Sequence, residues 1–251
     1  MTSLADQDER RLGGNLSVLT RQKRDHVRLD RLLHQLAVAP PGDDRDRVLR
    51  KIARLVFPHA FAEESVLWPL MRRVLPDGEA LTLQVEQEHQ EVNELWTSLE
   101  RLPATDSRRE TILDRLTRVL QEDVRDEEDE LLPRLQQRTT VRQQQALGVA
   151  WEVVRRISPT RPHPVVARRP PGNAIAALPL TITDRSRDAL DLVAQHSARL
   201  REPATRASAA LARLAGRIEQ LPPLRRGEHP STHRSHGTFG ATSPVTEGGH
   251  A

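Results

Sequence analysis

Apolar residues recur at spacings of three and four through most of the first 157 positions, the period of one face of a helix. The first such run, Leu16 to Ala39, follows Asn15 and stops at Pro40-Pro41-Gly42. A second runs from Asp43 to Leu75 and stops at Pro76-Asp77-Gly78; a third, Glu79 to Leu102, stops at Pro103; a fourth extends from Asp106 to Arg138. Four long helices with short connections predict an all-α fold, an up-down-up-down four-helix bundle over residues 16–138. Residues 139–157 predict one additional helix, over Val141–Ile157. Pro58, Pro69 and Pro133 fall inside the second and fourth runs, where each removes a backbone donor and predicts a kink or a local end.

Beyond residue 157 the pattern weakens. Residues 158–183 read as a Pro/Arg-rich linker, or a strap along the bundle, because SPTRPHPVVARRPPG cannot continue a helix. Residues 184–221 regain a helical pattern through Leu190, Val193, Leu200, Leu211, Leu214 and Ile218, diluted by alanine and interrupted at Pro203. Such an element needs a surface to pack on. The segment 222–251, dominated by Gly, Pro, Ser, Thr and His, is expected to be a disordered tail. No internal repeat is evident in the sequence.

Polar residues interrupt the apolar stripes at particular points. In the first helix, Leu19, His26, Leu29, Leu33 and Leu36 share a face. In the second, Ile52, Val56, His59, Glu63, Val66 and Leu70 step by four and three. Val85, His89, Val92, Trp96 and Leu99 form the stripe of the third. The fourth carries Leu113, Leu116, Leu120, Asp123, Glu127 and Leu131. Every helix therefore turns His26, His59, Glu63, His89, Asp123 or Glu127 toward the core. An inward histidine alone is an ordinary hydrogen-bonded core residue. An ionised carboxylate costs several kcal/mol to bury unless it is paired or bound to a cation. Imidazole and carboxylate donors together suit iron, manganese or zinc. In the acidic run 122–130, register assigns Asp126, Glu128 and Asp129 to the solvated face; Glu64, next to Glu63, is an alternative bridging carboxylate.

Composition narrows the classes. The chain has 251 residues and no cysteine, which excludes disulfides, thiolate metal sites and cysteine nucleophiles. No long apolar run or leader-like N-terminus is readable, so a soluble cytoplasmic protein without a membrane segment is expected. The net charge is only +3, and the positive residues are almost all arginine, which keeps its charge to high pH. Nucleic acid is thus an unlikely partner, there being no basic pattern interleaved with aromatics. Charge is unevenly placed: residues 1–157 carry 25 Lys and Arg against 28 Asp and Glu, and residues 158–251 carry 13 against 7. The C-terminal part is therefore suited to dock on the bundle. The histidines at 229, 233, 236 and 250 lack a preorganised setting and read as surface residues.

The pieces Asp25-His26, His59-Ala-Phe-Ala-Glu63-Glu64 followed by Val-Leu-Trp-Pro69, Glu88-His89-Gln90-Glu91, and Asp123-Val-Arg-Asp-Glu127-Glu128 followed by Leu-Leu-Pro133 occur in order at bundle spacing. In this the chain resembles the hemerythrin-like, HHE cation-binding family. The resemblance implies a non-heme di-iron centre inside the bundle, with Glu63 and Glu127 bridging and His26, His59 and His89 as terminal ligands. Two positions depart from the family pattern. Asp123 stands where the family usually has histidine, and Asn93 where hemerythrins often have another. Three histidines with three carboxylates form a harder, more anionic set than a histidine-rich oxygen carrier, and favour the ferric state. The expected function is oxygen, redox or iron sensing or handling, with metal ions and dioxygen or peroxide as partners. Two alternatives stand beside it: a metal-free helical interaction module with a decayed site, and a di-iron oxidoreductase.

Overall fold

A computed structural model describes residues 2–103 and 105–232. The elements follow the amphipathic runs. Helix α1 (Val18–Val38) is capped by the Ser17 side chain, which accepts from the Leu19 N–H, so its start lies two residues past the expected Asn15. Helix α2 (Asp43–Ala62) begins after Gly42, whose φ of 113° suits glycine, and Asp43, Asp44 and Asp46 line its positive end. Pro58 is accommodated inside α2. A π-helical turn, Glu63–Leu67, then leads into α3 (Trp68–Val74). Helix α4 (Gly78–Arg101) returns antiparallel, followed by α5 (Arg108–Asp126), a second π turn (Glu127–Leu131) and α6 (Leu132–Arg138). Helix α7 (Val141–Arg156) opens with a capping box between Thr140 and Gln143 and packs across α1 and α2.

The two π turns answer the expectation of kinks. Trp68 N–H reaches back to Glu63 O, and Leu132 N–H to Glu127 O, each one residue further than in an α-helix. The next residue in each case is proline, Pro69 or Pro133, which has no N–H to continue the pattern. At the second turn the freed Glu128 carbonyl instead accepts from Leu4 N–H at 2.9 Å, pinning an N-terminal segment whose Leu4 and Leu12 are fully buried. Each π turn also inserts one residue into the helical register. In place of the expected Val66 and Leu70, Leu67 and Met71 become fully buried.

The bundle core divides into two apolar clusters. One holds Leu29, Leu33, Ile52, Val56, Val92, Trp96, Leu116 and Leu120; the other holds Leu19, Leu67, Trp68, Met71, Val85, Leu132, Leu135 and Trp151. Between them the antiparallel helices align His26, His59, Glu63, His89, Asp123 and Glu127 as a polar layer. The layer also exposes a repeat that the sequence reading did not detect. His59, Glu63, Glu64 and Pro69 on one half correspond to Asp123, Glu127, Glu128 and Pro133 on the other, each 64 positions on, and His26 corresponds to His89. Similarity confined to a few positions does not stand out along the chain, whereas the paired π turns make it visible.

Helix α7 sits close enough to α1 that Gly148 has no room for a side chain: a Cβ there would lie 1.9 Å from the Leu16 carbonyl oxygen. Gly148→Ala is expected to destabilise the protein by roughly 2–4 kcal/mol because backbone must move, whereas Gly216→Ala, with open space around it, is expected to be neutral or mildly stabilising. Chemical denaturation of the two variants side by side measures this.

The C-terminal region departs from the expected boundaries. The linker ends at Pro171, and α8 spans Gly172–His196, starting twelve residues before the predicted Asp184 and carrying Pro179 inside it. Residues such as Ala174, Ala176 and Ala177 favour helix, but the adjoining proline-rich composition masked them. The predicted single segment 184–221 is divided at Ser197–Leu200, and α9 covers Arg201–Glu219. Pro203 thus lies in the first turn of α9, where its missing N–H is not needed. Helices α8 and α9 form an antiparallel hairpin. The expected tail is structured at its start: Pro222–Arg225 form a 3₁₀ turn, Leu224 is buried, and its carbonyl accepts from Ala167 N–H at 2.9 Å. Positions 233–251, with three of the C-terminal histidines, lie outside the described residues. Among the described residues no helix is long and apolar enough to cross a membrane.

Candidate metal centre

The polar layer is built from four helices. His26 comes from α1, His59 from the last turn of α2, His89 from the middle of α4, and Asp123 from the last turn of α5; Glu63 and Glu127 are the first residues of the two π turns. Two groups of potential ligand atoms form within it: His26, His59 and Glu127, and Glu63, His89 and Glu127, with the atoms of each group within 4.8 Å of one another. Glu127 belongs to both. Asp123 Oδ1 lies 3.4 Å from His89 Nε2, so all six expected residues converge on one region.

The imidazoles share an orientation. His26 Nε2 lies 3.2 Å from Glu127 Oε2, and His59 Nε2 lies 3.1 Å from Glu63 Oε1, both toward the interior. The opposite nitrogen of each ring meets a second carboxylate: His26 Nδ1 with Glu128 at 2.9 Å, His59 Nδ1 with Asp25 at 3.4 Å, and His89 Nδ1 with Glu64 at 3.0 Å. In the neutral imidazole such a carboxylate holds the proton on Nδ1 and leaves the Nε2 lone pair facing inward, the arrangement common around metal-binding histidines.

Sequence reasoning missed this outer ring. Glu128 was assigned to the solvated face, but it is largely shielded and holds His26; Glu64, expected as an alternative bridge, is buried and points to the outer nitrogen of His89. The signal was the tandem acid at Glu63-Glu64 and Glu127-Glu128, read with straight-helix geometry. Trp151 also belongs to this surround: its ring meets His59 edge-on at 5.3 Å, and the Arg155 guanidinium lies over the Trp151 ring at 5.2 Å.

Buried atoms in the layer lack hydrogen-bond partners. Apart from the contacts with imidazole Nε2 atoms already given, His26 Nε2, both carboxylate oxygens of Glu63, both of Glu127, and Asp123 Oδ1 have no hydrogen-bond partner. So many unsatisfied acceptors in a core would be strongly destabilising unless a cation served them. Without metal, protons provide the compensation. Burial opposes charge on His26, but Glu127 and Glu128 outweigh it and raise its pKa to about 9; His59 and His89 are raised in the same way, burial being outweighed by Glu63 and Asp25 for the first and by Asp123 and Glu64 for the second. The two central carboxylates diverge. Burial, Glu63 and Asp123 push Glu127 up to about 8; for Glu63 burial is outweighed by His59, His89 and His26, which hold it below its ordinary value. The donor set, imidazole nitrogen and carboxylate oxygen without sulfur, fits a first-row transition cation, iron among them.

Asn93, one turn beyond His89, is turned away from the layer's interior. Its Nδ2 donates to the His89 carbonyl at 2.8 Å, and its Oδ1 accepts the backbone N–H of His163, on the strap, at 3.0 Å. The position thus serves docking of the C-terminal region.

A model of the hemerythrin HHE cation-binding domain matches residues 17–135, the stretch that supplies all six central residues. The chain is also 24% identical, over 169 residues, to an uncharacterized hemerythrin-like protein of Schizosaccharomyces pombe, an alignment covering 67% of this chain and 83% of the relative. No solved structure matches the chain.

Proposed function

Because residues 17–135 belong to the hemerythrin HHE cation-binding domain family, we propose that the chain holds a non-heme di-iron centre and serves in oxygen, redox or iron sensing or handling. The observation that carries this reading is the set of buried acceptors without partners, faced by imidazoles whose outer nitrogens are already held by carboxylates. In this reading His26, His59, Glu63, His89, Asp123 and Glu127 would hold the irons, with Glu127 common to both groups of ligand atoms. Manganese or zinc suits the same donors less specifically. Bound there, iron supplies one-electron redox chemistry toward dioxygen or peroxide.

The chain's own residues orient, shield and manage protons. Glu128, Asp25 and Glu64 fix the three rings. The apolar clusters on either side exclude bulk water. A small cavity of about 20 Å³ touches Asp25, His26, His59, His89 and Asp123 and is otherwise bounded by apolar side chains, among them Leu29, Leu55, Val56 and Leu120, with room for about one small molecule. Asp123 in place of a fourth histidine makes the set more anionic and favours the ferric state, which supports sensing or handling over reversible oxygen carriage.

Metal must displace the protons that the histidines hold in the apoprotein. Loading is therefore expected to release protons and to strengthen as pH rises toward about 9, the value for His26. Elemental analysis of the purified chain should find about two irons, and titration calorimetry in buffers of different ionisation heat should record the proton release. A chain that takes up no metal, and keeps full stability with a chelator, sinks the reading and leaves a helical interaction module. Asp123→His is expected to retain metal and to favour the ferrous state relative to wild type. Turnover with ferrous iron or peroxide would identify an oxidoreductase.

A further inference from the structure

Arg168 lies in the strap between α7 and α8, outside the stretch matched by the domain family, yet it reaches the outer ring of the polar layer. It is 8% exposed. Its Nη1 is 3.6 Å from Glu64 Oε1, and that same oxygen lies 3.0 Å from His89 Nδ1. The strap holds the residue there through its backbone and its guanidinium. Arg168 N–H donates to Glu228, its Nη2 donates to the His163 carbonyl at 3.3 Å, and its own carbonyl accepts from Asn173 Nδ2 at 2.9 Å. The neighbouring Arg169 also enters the bundle but takes a different buried carboxylate, Glu86, at 2.7 Å. The two consecutive arginines thus separate docking of the strap, which both provide, from contact with the histidine layer, which only Arg168 makes.

We propose that Arg168 is a positioning residue that tunes the metal centre through Glu64 and His89. The proposal rests on the metal reading given above. Glu64 Oε1 is an acceptor shared between a guanidinium and an imidazole. An acceptor that also faces a cation polarises the His89 N–H less than a lone carboxylate would, which leaves His89 a weaker donor at Nε2. The positive charge of Arg168, in a poorly screened interior, also opposes accumulation of charge at the centre. Both effects act in one direction: Arg168 lowers affinity for divalent metal and disfavours the ferric state. The C-terminal region thereby offsets part of the anionic character that Asp123 adds. Displacing the strap would tighten metal binding, and by reciprocity metal binding would loosen the strap.

The test compares full-length variants with Co(II) as the probe metal, by competition against a chromophoric chelator. Arg168→Gln is expected to bind Co(II) at least about threefold more tightly than wild type, a smaller change than the roughly 10–100-fold that loss of a direct partner of a ligand produces. Arg168→Lys, which keeps the charge, should stay within about twofold of wild type. Arg169→Gln should lower thermal stability without the gain in affinity. In a Glu64→Gln background the effect of Arg168→Gln should shrink to its direct electrostatic part, since the intermediary is gone. Arg168→Met, uncharged and of similar length, replaces Arg168→Gln if the latter does not fold. Unchanged or weaker binding in Arg168→Gln, an equal gain in Arg169→Gln, or an effect undiminished in Glu64→Gln overturns the proposal while leaving the metal reading intact. A wild type that binds no Co(II) removes both.

Discussion

Replacing Glu127 by glutamine is expected to abolish metal loading while making the apoprotein more stable. Glu127 is common to both groups of ligand atoms, and the imidazole beside it, His26, is itself one of the set, so its loss breaks both groups at once. Affinity should fall by about 100-fold or more, beyond what loss of an outer-sphere partner costs. Stability should move the other way. Burial and the charges of Glu63 and Asp123 push the Glu127 carboxyl up to about 8, so the folded apoprotein prefers it neutral. A carboxyl whose pKa is raised on folding costs nothing below its ordinary value of about 4.5; the cost grows as pH rises and is complete above about 8. Glutamine copies the neutral form. The stabilising effect of Glu127→Gln in metal-free protein should therefore be absent in acid and largest above pH 8, while His26 retains Glu128. Denaturant titrations at several pH values, beside elemental analysis, measure both halves. A variant that keeps its metal, or that is destabilised at alkaline pH, would contradict the assignment.

Trp151→Ala is expected to cost about 3–5 kcal/mol, the range for truncating a fully buried aromatic, and to lower the melting temperature by roughly 10 °C in a chain of this size. Trp151 is 1% exposed and closes the apolar cluster on one side of the layer. It also supports the His59 ring from outside the matched domain. Loss of that support should weaken metal binding by about tenfold, comparable to other outer-sphere changes. Trp96 provides the control. It is buried in the other apolar cluster and packs edge-on against Phe57 at 5.4 Å, with no histidine contact. Trp96→Ala should lose similar stability and keep its metal affinity. Equal affinities in the two variants would show that Trp151 acts on packing alone.

Much of the centre was legible because burial and helical period are local properties. Residues at spacings of three and four share a face, so His26, His59, Glu63, His89, Asp123 and Glu127 were found by asking what interrupts an apolar stripe. Beyond Glu63 the buried stripe runs one residue out of step with the α-helical period. A π turn adds a residue that no α-helical period includes, and the buried positions become Leu67 and Met71. The same extra residue is why Glu64 and Glu128 were read as a bridge and a surface acid, when each instead holds the outer nitrogen of a histidine on another helix.

The C-terminal half was less legible, for a different reason. Helix α8 and the turn at Pro222–Arg225 are weakly encoded locally and owe their order to contacts far along the chain, such as Ala167 with Leu224 and Gly172 with Arg226. The excess of arginine predicted docking on an acidic bundle, but charge alone does not say which carboxylates are met. Only the fold assigns Arg169 to Glu86 and Arg168 to Glu64.

The sequence by itself determined the helices of the bundle, their antiparallel order and the identity of the inward-facing donors, since each follows from helical spacing and short connections. Tertiary structure alone decided which carboxylate holds which imidazole, how the two halves of the layer correspond, and that Trp151 and Arg168 reach it. Those are contacts between segments about 100 residues apart, His26 with Glu128 among them, and no local period carries information about them.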